Sequence, residues 1–163
     1  MKYSKIILSA IAIATGSVFA AAQIPATDNC DIVIAGTVDP SSIPHKAKSY
    51  IKKYFHKESV VEVEKEFLTG EVEVKLSSDT ELTFNSKGEI NEIDAADNAV
   101  LSERVIHSLL PHSAYKVLEK KNYAKYVDNV KKTGNGYIVD VDDAFDTEVE
   151  FTKYGELKSI SRD

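Results

Sequence analysis

The sequence predicts an α+β protein made of two tandem repeats, each a helix packed on about four antiparallel strands. Three observations predict this fold: an internal repeat with a period of 67 residues, a proline that opens an amphipathic segment in each copy, and alternating polarity downstream of that segment. A copy of roughly 55 residues has a small core, so we expect the two copies to join edge to edge or to pack as one rigid body.

The repeat becomes visible when the chain is shifted by the 67 residues that separate Pro44 from Pro111. Residues 43–94 then match residues 110–161 without a gap. Identical pairs include His45/His112, Ala47/Ala114, Val72/Val139, Val74/Val141, Phe84/Phe151 and Gly88/Gly155. A match of this density predicts a tandem duplication.

Each copy is predicted to begin with a helix. In the first copy, Ser41 or Ser42 can cap the free N–H groups, and Pro44 lies in the first turn, where its missing N–H costs nothing. Apolar residues at three- and four-residue spacing form one stripe at Ala47, Tyr50, Ile51, Tyr54 and Phe55. The corresponding residues of the second copy are Ser108, Pro111, Ala114, Val117 and Leu118. This spacing is typical of a helix with one buried face.

After each helix, apolar and polar residues alternate with a period of two, which predicts antiparallel strands with one solvent-exposed face. In the first copy, Val72, Val74 and Leu76 point inward, whereas the inward face of residues 89–94 is not set by the pattern. The predicted strands are 60–67, 71–76, 81–84 and 89–94, followed by 126–132, 137–142, 148–151 and 156–160. Residues 95–108 between the copies are too apolar for a free linker and predict a short helix.

The first residues have the pattern of a secretory signal peptide. Lys2 and Lys5 precede an apolar segment at 6–18 that is too short to span a membrane, and small residues follow it. We therefore expect a signal peptide at 1–20, with cleavage after 22 as the alternative, then a leader at 21–38 and the two copies at 39–95 and 96–163. The protein is predicted to be periplasmic or secreted, with no membrane span once the signal is cleaved.

Cysteine content and charge restrict the partners. Cys30 is the only cysteine, which excludes an intramolecular disulfide, and it lies too far beyond the apolar segment to be a lipoprotein acceptor. Removal of Lys2 and Lys5 would take the net charge from −6 to −8. This sign argues against nucleic acids and anionic membranes as partners, since both require basic patches.

The sequence contains no motif that indicates catalysis, and we expect neither an enzyme nor a cofactor. His107 and His112 are five residues apart across Pro111, which is not the spacing of a zinc pair on one helix face. The segment "DVDDAFD" at 140–146 resembles a calcium loop, but Phe145 and Phe151 stand where such a loop needs Gly and Glu. A strand end and turn explains it better, although calcium or small-ligand sensing remains an alternative function.

Acidic residues mark the outward positions of the predicted strands. These are Glu62, Glu64, Glu71, Glu73, Glu81, Asp140, Asp142, Glu148 and Glu150. The helices carry the lysines, so the pattern predicts an acidic sheet face opposite a basic helical face. Such a face could receive a cationic protein or peptide, with charge complementarity setting on-rate and specificity. The alternative is that any solvent-facing sheet must be polar and that its charges discourage aggregation.

The pattern resembles a known family at the residues that open the helix, form the second and third strands and make the glycine turn. In the first copy these are Pro44, Ala47, Tyr50-Ile51, Tyr54-Phe55, Glu71–Leu76, Glu81–Phe84 and Gly88. The chain resembles the PepSY-like, beta-lactamase-inhibitor-like proteins. This resemblance implies an exported bacterial protein similar in topology to beta-lactamase inhibitory protein, which clasps another protein with its sheet face and loops. Together with the acidic face and the absence of a catalytic motif, this topology leads to the interpretation we adopt, an exported, non-catalytic protein- or peptide-binding module. Inhibition of an extracytoplasmic hydrolase is a further alternative, which the family name suggests by analogy.

Overall fold

The computed structural model describes residues 32–34 and 39–162, and the predicted signal peptide and Cys30 lie outside these residues. The helices are α1 (His45–Tyr54), α2 (Glu103–Leu109) and α3 (His112–Lys120). The strands are β1 (Val33–Ile34), β2 (Ser59–Lys65), β3 (Val72–Leu76), β4 (Glu81–Phe84), β5 (Ile90–Asp94), β6 (Val127–Thr133), β7 (Gly136–Val141), β8 (Thr147–Thr152) and β9 (Leu157–Arg162). Two short 3-10 turns lie at Pro40–Ser42 and Ala124–Tyr126.

The strands form one sheet in sequence order from β1 to β9. Strand β1 runs parallel to β2, and every later neighbour is antiparallel. Each copy therefore contributes its helical part and four consecutive antiparallel strands, β2–β5 and β6–β9. The predicted α+β tandem fold is confirmed.

The two copies join edge to edge through β5 and β6, where Ile93 lies opposite Val130. Both of these side chains are fully buried and belong to a single hydrophobic core that includes residues of both copies. The helices are also linked, because the hydroxyl groups of Tyr50 and Ser108 share a hydrogen bond. The molecule is one body with a continuous core.

The helices cover one face of the sheet. Helix α1 buries Ala47 and Ile51, and α3 buries Ala114, Tyr115 and Leu118 against that face. Beneath them lie the inward strand residues, which are buried in every strand from β2 to β8: Val60, Val72, Val74, Leu76, Leu82, Phe84, Ile93, Val127, Val130, Val139, Val141, Val149 and Phe151. The other face of the sheet carries the polar residues.

The helix starts differ from the prediction in detail. Pro44 and Pro111 stand at the cap positions, immediately before the first helical residues, and no side chain of the described residues caps either helix. Ser41 and Ser42 lie instead in the first 3-10 turn, and Ser108 lies inside α2. The predicted serine caps are therefore wrong. Each helix starts at proline instead, whose fixed φ is already compatible with the start of a helix.

A close approach between the helix start and a turn accounts for the proline and glycine that recur in each copy. Gly88, in the β4–β5 turn, has φ of 75°, and a Cβ there would lie 2.8 Å from Cβ of Pro44. Gly155, in the β8–β9 turn, has φ of 81°, and a Cβ there would lie 2.9 Å from the backbone N of Ala114. Only glycine combines this backbone angle with so close a contact.

The gapless alignment of the two copies is wrong for β3 and β7, which are offset by two residues in the structure. Val74 pairs with Val63 and Leu82, and Val139 makes the equivalent pairs with Val130 and Val149. The structural counterpart of Val139 is therefore Val74 and not Val72. The β2–β3 connection is two residues longer in the first copy, and the β7–β8 connection is two residues longer in the second.

Candidate functional site

The sheet face that the helices leave uncovered is called the open face here. Cross-strand pairing arranges its side chains in two rows that run across the strands. The first row contains Glu64, Glu73, Thr83, Glu92, Lys131, Ile138, Glu150 and Ser159. The second row contains Glu62, Lys75, Glu81, Asp94, Asn129, Asp140, Glu148 and Ser161. Neighbouring strands lie about 4.8 Å apart, so adjacent side chains within a row interact.

Most of the predicted site residues lie on this face. Seven stand in the two rows: Glu62, Glu64, Glu73, Glu81, Asp140, Glu148 and Glu150. Glu71 lies just before β3, where its carboxylate accepts a hydrogen bond from the side-chain amide of Asn91 at 3.2 Å. Asp142 lies beyond the end of β7, and its backbone N–H donates to the carbonyl of Tyr126. Asp142 is therefore not part of the rows.

Sequence reasoning missed the acidic residues of the central strands, because two β-bulges interrupt the alternation there. Asn91 is the extra residue between the pairs Thr83–Glu92 and Phe84–Ile90. In β6, Asp128 is the extra residue between the pairs Val127–Val141 and Asn129–Asp140. The bulge in β5 leaves Ile93 buried and places Glu92 and Asp94 on the open face. A bulge adds one residue to a strand, so the side chains beyond it point to the opposite sheet face from the one that simple alternation predicts.

The predicted separation of charge between the two faces is incomplete, because three lysines of the described strands reach the open face. Lys131 lies 2.7 Å from a carboxylate oxygen of Glu92, and Lys158 lies 2.9 Å from that of Glu150. Lys75 lies 3.5 Å from Glu81 and also pairs with Asp79. These pairs neutralise part of the face, and the pair Lys131–Glu92 does so at its centre, between β5 and β6.

The middle of the second row keeps its negative charge. Among the residues that the structure describes, no lysine or arginine forms an ion pair with Asp94, Asp140 or Glu148. Asn129 separates the first two of these, and Asp140 stands directly opposite Glu148. These three carboxylates are called the acidic centre below.

Burial and repulsion between neighbours raise the pKa values of three carboxyl groups on the open face, those of Asp140, Asp94 and Glu73. The pKa of Asp140 is raised to about 6, first by burial and then by the charges of Asp128 and Glu148. The pKa of Asp94 is also raised by burial, although a hydrogen bond from Asn129 opposes the shift. Burial and the neighbouring glutamates likewise raise the pKa of Glu73. The isolated protein thus holds this charge at a cost in free energy.

The other candidate sites do not assemble. Within the described ranges, no group of three or more His, Cys, Asp or Glu side chains could hold a metal ion. In the "DVDDAFD" turn, the carboxylate of Asp143 accepts the N–H of Phe145 at 3.1 Å and the hydroxyl of Thr147 at 2.9 Å, so it stabilises the turn itself. His107 and His112 lie on the helical side, with their ring centroids 5.5 Å apart.

Across 32–34 and 39–162, the helices are too short or too polar to cross a bilayer.

Comparison with solved structures finds the same fold in proteins described as periplasmic. A Bacteroides vulgatus protein of unknown function is 30% identical, with a TM-score of 0.63, covering 77% of this chain and 96% of its own. A Bacteroides thetaiotaomicron protein described as calcium-regulated is 21% identical, with a TM-score of 0.63, covering 77% of this chain and 94% of its own. A second B. vulgatus protein is 18% identical with the same TM-score and the same coverage. At these lower identities the likeness shows the fold alone.

No curated protein matches the sequence. A family model does match, in two overlapping regions, residues 33–92 and 70–159, which together include most of the chain. Two matches to one family model agree with the tandem repeat seen in the sheet. The chain belongs to the PepSY-like family described as "putative beta-lactamase-inhibitor-like".

Proposed function

We propose that this protein is an exported, non-catalytic binding module whose open face receives a cationic segment of a protein or peptide. The observation that supports this proposal is the acidic centre, three neighbouring carboxylates with no cation of the described residues paired to them. Export is supported by the signal-like pattern of residues 1–20 and by the periplasmic description of the similar structures.

The raised pKa of Asp140 gives the face a physical reason to bind a cation. A lysine or arginine that approaches Asp94 and Asp140 would favour their ionised forms and so relieve the cost that burial and repulsion impose. Electrostatic complementarity of this kind increases the association rate and selects for partners of opposite sign. A carboxylate that destabilises the free protein can therefore stabilise the complex.

The dimensions of the face favour a macromolecular partner. From β2 to β9 the open face is about 34 Å wide, and its strands are about 17 Å long. This gives an area of roughly 600 Å², close to the roughly 800 Å² that each partner contributes to a standard interface. Two open grooves, of about 550 and 510 Å³, lie elsewhere. The first lies between α3 and Leu157 of β9, and the second lies between α3 and the segments before and after it.

The arrangement of the polar groups supports binding and not catalysis. The carboxylates stand in open rows on a wide surface, whereas catalytic acids and bases work in clefts that exclude water. Inhibition of a hydrolase would be a special case of the same protein binding, and no residue here favours it. The calcium alternative gains no support, because Asp143 is used within its own turn and no group of three or more His, Cys, Asp or Glu side chains within the described ranges could hold a metal ion.

Affinity capture from the cell envelope of the source bacterium tests the proposal. The variant Glu73→Gln/Asp94→Asn/Asp140→Asn/Glu148→Gln is expected to lose about tenfold or more of the captured partner, because it removes the unpaired charge of the face. Capture by the parent protein is expected to weaken in about 0.5 M salt, which screens such contacts. Partner identity and amount are read by quantitative mass spectrometry.

The matched control removes four exposed carboxylates that lie off the open face, in Asp97→Asn/Glu103→Gln/Glu119→Gln/Glu156→Gln. This control changes the net charge by the same amount and is expected to capture the partner like the parent. Equal loss in both variants would mean that net charge alone is responsible, and full capture by the face variant would show that the face is not the binding surface.

A further inference from the structure

The connection between β2 and β3, residues 66–71, is called the hairpin tip. Its side chains Phe67 and Leu68 are 96% and 89% exposed, the highest values among the large apolar residues that the structure describes. The sequence pattern predicts a strand at 60–67 that includes Phe67, but β2 ends at Lys65. Two adjacent apolar side chains in full contact with water forgo the favourable free energy of burial that such residues normally contribute.

The tip is an ordered turn. The N–H of Gly70 donates to the carbonyl of Glu66 at 2.9 Å, and Glu66 in turn donates its N–H to the carbonyl of Glu71 at 2.9 Å. The hydroxyl of Thr69 donates to the Glu66 carboxylate at 2.6 Å and accepts the N–H of Glu71 at 3.1 Å. These bonds hold Phe67 at the end of a fixed hairpin, so little conformational entropy would be lost when a partner contacts it.

The second copy shows that the fold does not need an apolar tip. There, Thr133 pairs with Gly136, and the connection between β6 and β7 is only Gly134 and Asn135. In the first copy Glu66 and Glu71 occupy the places of Thr133 and Gly136, so residues 67–70 form a loop of four where the second copy has two, and Phe67 lies within that longer loop. The added apolar residues therefore serve something other than the formation of the hairpin.

We propose that the hairpin tip is the apolar anchor of the partner interface, with Phe67 and Leu68 entering an apolar pocket on the partner protein whose rim carries lysine or arginine. The inference rests on the proposed function, because it assigns the apolar part of the same interface. The pair Glu64–Glu73 begins the first row of the open face, and residues 66–71 continue from it without a break.

Charge around the tip defines the kind of partner. Lys65 is the one cation between residues 62 and 73. The acidic residues in the same segment are Glu62, Glu64, Glu66, Glu71 and Glu73. Anionic bilayers would be repelled by this surface, whereas a protein pocket with a cationic rim would be attracted to it. Aromatic side chains inserted in such pockets are common energetic centres of protein interfaces.

Site-specific photo-crosslinking tests the proposal in the exported full chain, within the envelope of the source bacterium. The probe is p-benzoylphenylalanine, placed at Phe67 for the tip, at Thr83 for the open face and at Gly134 as the control tip. Gly134 accepts a side chain without conflict, because no atom lies within 4 Å of a Cβ built there. Adducts are mapped on the partner by mass spectrometry.

We expect the probes at positions 67 and 83 to crosslink to the same protein. The probe at position 134 is expected to give at most a tenth of that adduct. The adduct from position 67 is expected to map to an apolar pocket next to lysine or arginine. An adduct at 83 without one at 67 overturns the anchor and leaves the proposed function intact. An adduct at 67 without one at 83 overturns the proposed function and the shared interface. Adducts to lipid, to a second copy of this chain, or equally at 134 overturn the anchor.

A double substitution separates binding from folding. Phe67→Ser/Leu68→Ser is expected to melt at the parent temperature, because both side chains are exposed and the bonds of the turn involve other atoms. The same variant is expected to reduce the crosslink at position 83 about tenfold or more, because the partner is held less tightly. An unchanged crosslink at position 83 would overturn the anchor.

Discussion

Ile93→Ala is expected to lower the free energy of unfolding by about 3–4 kcal/mol, within the range for removing a fully buried isoleucine from a core. Ile93 lies in β5 between Leu82 and Val130, at the strand pair that joins the two copies, and it is 0% exposed. Since the core is continuous across this junction, the variant is expected to unfold in a single transition at a lower denaturant concentration.

The repeat supplies a matched control at the other end of the sheet. Ile160 occupies the equivalent position in β9, but β9 is an edge strand, and Ile160 pairs only with Val149 and is partly exposed. Ile160→Ala is expected to cost about half as much, because fewer contacts are lost and water can fill the space. Equal losses in the two variants, or two separate unfolding transitions, would contradict the picture of one body joined at β5 and β6.

Asp140→Asn is expected to stabilise the protein by about 2 kcal/mol at pH 7, because it removes a carboxylate whose pKa is raised to about 6 in the folded state. A carboxyl group with a raised pKa binds more protons in the folded than in the unfolded chain. Its penalty is therefore present above pH 6 and disappears as the pH falls towards the unfolded value of 3.8. Urea unfolding at several pH values measures the difference, which should vanish near pH 4.

Glu150 provides a control of opposite sign on the same face. The hydrogen bond from Lys158 lowers the pKa of Glu150, so Glu150→Gln removes a favourable interaction and is expected to give no stabilisation at pH 7. If Asp140→Asn were destabilising at pH 7, or if its effect did not depend on pH, the assignment of repulsion and burial at Asp140 would be wrong.

The prediction for Asp140 and the proposed function are connected. The same substitution that stabilises the isolated protein removes part of the acidic centre and is expected to weaken partner binding. Binding sites often carry such groups, because charges that a ligand will neutralise are unfavourable in its absence. Stability and capture measured on this one variant should therefore change in opposite directions.

Local patterns were sufficient to predict the fold. Proline at the start of each helix, glycine in the following turns and the strict alternation of β3 and β7 are signals that depend on neighbouring residues only. The register of β7 was mispredicted because a shift of two residues leaves every side chain on its original face. Val72 and Val74 match Val139 equally well by polarity, and only the strand pairs distinguish them.

The open face was predicted less completely than the core. Its outer carboxylates follow alternation, but the positions of Glu92 and Asp94 depend on a bulge in β5 that has no strong signal in a single sequence. The sequence analysis also missed the lysines of the open face. It compared the charges of the helices with those of the strands, and that comparison does not reveal which strand residues lie side by side. The exposure of Phe67 was also hidden, because in sequence it continues the alternation of β2.

Carboxyl footprinting tests most directly whether the open face is the contact surface. The tagged protein is labelled with carbodiimide and glycine ethyl ester, alone and after incubation with envelope extract, and each carboxyl group is quantified by mass spectrometry. We expect the extract to protect Glu73, Asp94 and Glu148 while Glu103 and Glu119 on the helical side label unchanged. Protection of the helical carboxylates, with the open face still fully labelled, would contradict the proposed function.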